Sequence, residues 1–282
     1  MSAAERKFPG LHIVEPQTTH THTAILLHGR GSNGPEFAED IFSSETSMGK
    51  NLESHFPSWK WVFPSSGERW STIFQEDLSS WFDIYSLTEP DDRQDLQLQG
   101  LRESCFHVLD VLEQEINLLD GKSENIVFGG ISQGMATALW TLLCSPVRVK
   151  SRLGGFVGFC GWMPFTQHIE EATQKYRSQH GFDDRGKCVN IPATLVEVMG
   201  CEQFEQNTDE VDALLSTPIL LIHGIDDAMV DISLGRQACR LLEGIGMEAE
   251  LKEFSGAENE GHWIKAPQGF DKIVAFLKTN TG

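Results

Sequence analysis

The chain has 282 residues, which is enough to bury a substantial hydrophobic core. It carries 41 acidic against 22 basic residues, a formal net charge of -19. This balance argues against nucleic acid or an anionic membrane surface as a partner, because both require a positively charged footprint.

The first residues, Met1 to Lys7, are polar and lack the apolar core of a secretory signal. No apolar run is long enough to span a membrane, so we expect no stable membrane insertion and a cytoplasmic location. Scattered cysteines without a CxxC pair are expected to be reduced thiols in such a chain. A bridge between Cys188 and Cys201, which share one segment, is the less favoured alternative.

Four regular elements are predicted in the first half of the chain, after an irregular lead-in over residues 1–19. β-branched and apolar runs predict strands, whereas apolar residues at helical spacing predict helices. The predicted elements are a strand at 19–27, a helix at 36–42, a strand at 59–63 and a long helix at 95–119.

Seven elements are predicted in the second half: a strand at 125–131, a helix at 133–144, strands at 152–160 and 217–224, a helix at 234–242, a strand at 248–254 and a helix at 268–278. The alternation of strands and helices predicts an α/β fold with a mostly parallel central sheet covered on both faces. Since no repeat and no linker is evident, residues 1–282 are predicted to form one domain.

Residues 166–214 differ in composition from the rest, because they are polar and acidic and show only weak helical periodicity. Long insertions in α/β enzymes tend to lie above the ends of the strands. This insertion is therefore either a lid over the site or a solvated excursion without a role, and the sequence favours neither.

The strongest functional motif is Gly130-x-Ser132-x-Gly134, between the predicted strand at 125–131 and the helix that follows. This pattern is typical of a nucleophile elbow, in which a strained turn presents a serine hydroxyl above the sheet. Strand, motif and helix together predict that Ser132 is a nucleophile.

A serine hydroxyl needs a base to take its proton, and the base needs an acid that fixes its tautomer. The chain order for this architecture is serine, acid, histidine. Three aspartates, Asp226, Asp227 and Asp231, follow a late strand, and His262 follows the last one. The other histidines are expected to be structural, including His20 and His22, which share a strand face but have no evident third metal ligand.

Two further features lie near this site. Three glycines in the loop 28–35 indicate either a sharp turn or a loop that supplies an oxyanion-hole amide. Trp81 and Trp162 follow strands and are candidates to line the substrate site, although aromatic residues more often belong to the core.

Five motifs in order resemble those of the acyl-protein thioesterases, also called the phospholipase/carboxylesterase family. They are LHGRGSNG at 27–34, Trp-Phe-Asp at 81–83, GGISQG at 129–134, HGIDDAMV at 223–230 and Gly-His at 261–262. The resemblance implies an α/β-hydrolase fold and hydrolysis of acyl thioester or ester bonds. It implies no cofactor and no metal.

The resemblance also implies a role for each matching residue. Ser132 is the nucleophile, Asp227 the orienting acid and His262 the base, and the backbone amides of Arg30 and Gln133 form the oxyanion hole. Asp226 is then a solvated loop residue, and Asp231, where the family usually has proline, is expected to cap a helix.

The chain departs from the family in three ways. Ile131 replaces the usual phenylalanine and Met135 a usual glycine, both tolerable beside the elbow. Arg30 stands where animal members have leucine, which puts a cation where the acyl chain would pass. The insertion exceeds the family's short connection by tens of residues.

Three functions stay open from the sequence. The first is deacylation of S-acylated proteins, and the second is hydrolysis of small esters or lysolipids. The third is a hydrolase fold that binds without catalysis, which the presence of all three catalytic candidates disfavours.

Overall fold

The computed structural model describes residues 7–180 and 208–282. Its strands are β1 His12–Val14, β2 His22–Leu27, β3 Trp59–Phe63, β4 Glu68–Ser71, β5 Glu76–Ser79, β6 Ile126–Ile131, β7 Gly155–Phe159, β8 Ile219–Gly224 and β9 Ala249–Phe254. Its helices are α1 Gly34–Ser43, α2 Leu52–His55, α3 Asp95–Leu118, α4 Gln133–Cys144, α5 Thr166–His180, α6 Thr208–Leu215, α7 Ile232–Gly244 and α8 Gln268–Asn280.

Seven strands form the central sheet in the order β1-β3-β2-β6-β7-β8-β9. All neighbours are parallel except β1, which pairs antiparallel with β3. The central strands β6 and β8 are buried along their whole length, as expected of parallel strands with helices on both faces. The predicted α/β fold with a mostly parallel sheet is confirmed.

Helices cover both faces of the sheet. The helix after the elbow, α4, is buried at all twelve positions and packs with α3 on one face, where α5, α6 and α7 also contribute buried side chains. The opposite face is covered by α1, α2 and α8, through residues such as Phe37, Leu52 and Phe270. The core thus holds the carboxyl ends of β6 to β9 in fixed relative positions.

The structure adds two features to the predicted set. The lead-in contains β1, so the prediction that residues 1–19 are irregular is wrong for His12–Val14. The second feature is a separate hairpin of β4 and β5, whose exposed apolar side chains are Trp70, Ile73 and Phe74. The strand β1 forms only by pairing with the distant β3, and the hairpin has a largely polar sequence without a buried face, so a local pattern reports neither.

The insertion at 166–214 is described only at its two ends, α5 and α6. These ends are not purely solvated, because Ile169, Val211, Leu214 and Leu215 join the core. The first end begins just after β7, at the carboxyl edge of the sheet. A lid over the site stays a prediction, and the alternative bridge between Cys188 and Cys201 lies outside the described residues.

Among the described helices, none is both long and apolar enough to cross a membrane.

Candidate active site

Ser132 lies on the turn that joins β6 to α4. Its backbone has φ 55° and ψ -122°, a combination that costs a non-glycine residue roughly 1–3 kcal/mol. The surrounding sheet holds this turn, for instance through the hydrogen bond from Ser132 N to Phe159 O of 2.8 Å. The strained backbone is that of a nucleophile elbow and presents the side chain at the carboxyl edge of the sheet.

The two glycines of the motif allow α4 to begin close to β2. A Cβ on Gly134 would lie 2.3 Å from Leu27 O, and a Cβ on Gly130 would lie 2.6 Å from the same oxygen. Since real Cβ atoms do not approach backbone oxygens so closely, larger residues here would move the elbow. The glycine requirement predicted by the motif thus has a steric cause.

Asp227 and His262 form a hydrogen-bonded pair at the ends of β8 and β9. His262 Nδ1 lies 2.8 Å from Asp227 Oδ2, and the side chain of Asp227 is fully buried. The other carboxylate oxygen, Oδ1, accepts hydrogen bonds from the amides of Met229 and Val230, both of 2.9 Å. The carboxylate therefore fixes the orientation of the His262 ring. The other ring nitrogen, Nε2, is then free to accept a proton.

His223, a second buried histidine, also contacts this carboxylate. Its Nε2 lies 2.9 Å from Val230 O and 3.3 Å from Asp227 Oδ2. Because the Val230 carbonyl can only accept, Nε2 carries the proton and points it between the two oxygens. Burial opposes ionisation of Asp227, but hydrogen bonds from His223, His262 and Val230 outweigh it and hold the pKa of this carboxyl well below its usual range.

The end of β7 connects the elbow with the acid-base pair. Phe159 accepts the hydrogen bond from Ser132, and the next residue, Cys160, places its sulfur 3.7 Å from Trp263 O, beside His262. The Ser132 hydroxyl itself makes no hydrogen bond to any described residue. Bonds between a nucleophile and its base are often long before a substrate binds.

The loop after β2 lies against the elbow. A Cβ on Gly29 would lie 3.4 Å from Ser132 Cβ, so the peptide between Gly29 and Arg30 borders the nucleophile. His28 Nε2 accepts a hydrogen bond of 3.0 Å from Ser66 N, which places the imidazole proton on Nδ1, 2.7 Å from Gly29 O. The carbonyl and the following N–H of a trans peptide point in opposite directions. His28 therefore orients the Arg30 amide, the predicted oxyanion donor.

The second predicted donor, the Gln133 amide, is the first of α4, where backbone N–H groups have no acceptor within the helix. The Gln133 side chain is buried and holds the Trp-Phe-Asp motif: Oε1 accepts from Trp81 N at 3.0 Å, and Nε2 donates to Phe82 O at 2.7 Å. The indole of Trp81 in turn donates to His28 O at 2.8 Å. The motif ties the glycine-rich loop to the elbow.

The two tryptophans expected to line the substrate site are packed inside the protein. Trp81 is 0% and Trp162 is 1% exposed. In this structure neither side chain presents surface to a ligand, because Trp81 lies behind the loop at His28 and Trp162 packs near Phe82, with ring centroids 6.4 Å apart. The structure thus gives Trp81 a supporting position instead of a lining one.

One group of side chains in the described part of the chain has the composition of a metal site: Cys160, Asp227 and His262, with ligand atoms within 4.8 Å of one another. Burial raises the pKa of the Cys160 thiol to about 12, and its sulfur lies 3.7 Å from Trp263 O. The carboxylate and the imidazole are engaged with each other at 2.8 Å. This contact is the one expected of an acid-base pair.

The neighbouring aspartates have other partners. Asp226 is exposed and accepts from Gly256 N at 2.8 Å, whereas Asp231 Oδ1 accepts from Ser233 N at 2.8 Å and caps α7. The predicted cap is confirmed. The supporting contacts of His28, His223 and Cys160 were not anticipated from the sequence, from which the two histidines were expected only to be structural.

The sheet order, the elbow and the order serine, acid, histidine are those of an α/β-hydrolase, and the chain is a serine hydrolase. A family model described as phospholipase/carboxylesterase matches residues 9–186. The chain belongs to this family.

Curated relatives agree with this assignment. An acyl-protein thioesterase 1 of Yarrowia lipolytica is 29% identical over 271 residues, which cover 96% of this chain and 95% of the relative. A probable carboxylesterase of Arabidopsis thaliana is 28% identical over 85% of this chain and 72% of its own length. The crystal structure of Zea mays acyl-protein thioesterase 2 is 24% identical in sequence and superimposes with a TM-score of 0.66. The match includes 98% of this chain and 100% of the maize chain, so the two have the same fold.

Proposed function

We propose that Ser132 is the nucleophile, His262 the general base and Asp227 the acid that orients it, with the amides of Arg30 and Gln133 as the oxyanion hole. The observation that carries this proposal is the buried Asp227–His262 hydrogen bond of 2.8 Å, at the same sheet edge as a serine held with φ 55°. The order of the three residues along the chain agrees with the α/β-hydrolase pattern.

The reaction follows from these positions. His262 Nε2 takes the hydroxyl proton as Ser132 Oγ attacks the acyl carbonyl, and the two amides stabilise the negative oxygen of the tetrahedral intermediate. The imidazolium returns its proton to the departing thiolate or alkoxide, which leaves an acyl-enzyme. Water, deprotonated by the same imidazole, then releases the carboxylic acid and regenerates the serine.

The family cleaves acyl thioesters and esters, and among these we propose S-acylated protein as the substrate. The predicted location remains the cytoplasm. The support is the similarity to proteins named acyl-protein thioesterase over almost the whole chain. The net charge of -19 also suits basic protein segments beside an acylated cysteine. The alternative is hydrolysis of small esters or lysolipids, which similarity to a probable carboxylesterase favours.

The test is hydrolysis of p-nitrophenyl esters of increasing chain length beside a palmitoyl-thioester peptide, with Ser132→Ala as the inactive control. The proposal expects turnover of the thioester peptide that is lost in the variant. Turnover of acetate or butyrate esters without thioester cleavage would favour the carboxylesterase alternative. A wild-type protein that cleaves none of these substrates would contradict hydrolase activity altogether.

A further inference from the structure

The backbone and the side chain of Arg30 lie against different parts of the protein. Its amide belongs to the peptide that borders Ser132, and its side chain is half-buried beside the β4–β5 hairpin. The guanidinium lies over the ring of Phe74, with Cζ 5.0 Å from the ring centroid. The positive charge is therefore held against the β4–β5 hairpin by an aromatic ring that is itself 51% exposed, while the backbone of the same residue lies in the loop beside Ser132.

This guanidinium has no carboxylate within salt-bridge distance among the described residues. Asp83 is the nearby acid, but Thr72 occupies its oxygens, with its amide at 3.2 and 3.3 Å and its hydroxyl at 2.5 Å. Of the described arginines, Arg69, Arg93, Arg148 and Arg236 are ion-paired, whereas Arg102, Arg152 and Arg240, like Arg30, have no described carboxylate within salt-bridge distance. Arg30 differs from these three because its backbone belongs to the loop beside Ser132.

A partly desolvated guanidinium lacks part of its hydration and gains most from an anion that accepts two of its N–H groups. Burial lowers the pKa of Arg30, an effect that the charge of Asp83 only partly offsets. The side chain thus has unused donors in a setting where a charge-assisted hydrogen bond is strong. An acyl chain that ends in a methyl group would offer these donors no acceptor of its own.

We propose that the Arg30 guanidinium is a subsite for an anionic group on the substrate, a carboxylate or a phosphate a few bonds from the scissile carbonyl. This inference rests on the proposed hydrolysis at Ser132 and adds, within the same thioester and ester chemistry, substrates whose acyl part or leaving group carries an anion. The anion belongs either to the acyl part, as in the monoacyl derivative of a dicarboxylic acid, or to the leaving group, as in an acylated glycerol phosphate.

Two pairs of substrates separate the sources. For the acyl part, the N-acetylcysteamine thioesters of hexanoate and of adipate have equal chain length and differ in a terminal methyl or carboxylate. For the leaving group, 1-butyrylglycerol and its 3-phosphate differ only in the phosphate. The quantity measured is the ratio of kcat/KM, charged over neutral, within each pair, because a general change in the oxyanion hole cancels in this ratio.

The variants are Arg30→Leu, which removes the charge, and Arg30→Lys, which keeps it without the planar fork. We expect the wild-type ratio to exceed one in one pair and to fall roughly tenfold or more in Arg30→Leu, the size of one lost charge-assisted hydrogen bond. Arg30→Lys should retain part of the preference. Arg148→Leu removes an ion-paired arginine that follows α4 and should leave the ratio unchanged.

The pair in which the ratio falls identifies the source of the anion. A ratio that Arg30→Leu leaves unchanged in both pairs overturns the inference, as does equal loss on charged and neutral substrates. If neutral thioesters and esters are hydrolysed while the ratios stay fixed, the proposed function survives and only the subsite fails. If no substrate of either pair is hydrolysed, the proposed function fails and the subsite fails with it.

Discussion

His28 links the stability of the protein to the geometry of its oxyanion loop. Burial lowers the pKa of His28 to about 4, an effect partly offset by its hydrogen bond to Gly29 and by the charge of Glu36. In the unfolded chain a histidine titrates near 6.5. Between these two values the unfolded state binds a proton that the folded state does not, so the free energy of unfolding falls as the pH drops from about 6.5 to about 4.

The size of this contribution follows from the shift. A change from 6.5 to about 4 corresponds to about 3 kcal/mol at the lower end of the window. The variants His28→Asn and His28→Gln remove the titration. The unfolding free energy of the wild type relative to either variant should therefore fall by about 3 kcal/mol from pH 7 to pH 4, which removes or reverses the advantage of the wild type. Urea denaturation at several pH values measures it.

Each of these two variants can keep only one of the two hydrogen bonds that the His28 ring makes. Asparagine places an N–H donor where Nδ1 lies and can keep the bond to Gly29 O, whereas glutamine reaches the position of Nε2 and can keep an acceptor for Ser66 N. Each variant leaves one buried group unpaired, at a cost of about 1–3 kcal/mol at pH 7. Because only asparagine keeps the Arg30 amide oriented, His28→Gln should lower kcat by more than about tenfold and His28→Asn by less.

His168→Asn, a change on the exposed surface of α5, serves as the matched control for the effect of the exchange itself. A difference in unfolding free energy that does not depend on pH would refute the role of a neutral, buried His28. Equal kcat for the two variants would refute its role in orienting the oxyanion peptide.

Three further predictions follow from the site and the core. Asp227→Asn should keep the fold but lower kcat on a short ester by about 10⁴, because the asparagine no longer fixes the required tautomer, and a loss of less than tenfold would contradict this. Gly134→Ala should lower the free energy of unfolding by about 1–3 kcal/mol or more in urea denaturation, because its Cβ would lie 2.3 Å from Leu27 O, and unchanged stability would contradict the steric argument. Lys60→Met breaks the buried ion pair of 2.7 Å with Glu115 and should lower the free energy of unfolding by about 3–5 kcal/mol. Adding Glu115→Leu should restore much of this loss, because no unpaired charge then remains buried. A double variant as unstable as the single one would contradict this.

Local patterns predicted most regular elements well. The strand Trp59–Phe63 and the helix Gln133–Cys144 have the predicted bounds, because each lies between strong local signals, proline and glycines in one case and the elbow in the other. The short β1 was missed, since three residues bounded by irregular chain show no period and become a strand only by pairing with β3. The hairpin of β4 and β5 was missed because its sequence is largely polar and lacks a buried face.

Motif order predicted which side chains lie together at the carboxyl edge of the sheet, but not what supports them. The positions of Ser132, Asp227 and His262 relative to their strands followed from the family's pattern. The contacts of His223 with the acid and of His28 with Gly29 join residues whose ring directions depend on packing. Nothing in the sequence distinguishes a histidine that shapes a turn from one that also orients a catalytic peptide.

The central claim is that Ser132 is a nucleophile activated by His262. Its most direct test is labelling with a fluorophosphonate probe, followed by intact mass and peptide mapping, on the wild type, Ser132→Ala and His262→Ala, with the exposed Ser216→Ala as the matched control. We predict a single adduct on Ser132 in the wild type and in Ser216→Ala, none in Ser132→Ala and strongly slowed labelling in His262→Ala. An adduct that persists in Ser132→Ala, or a wild type that is not labelled, would contradict the assignment.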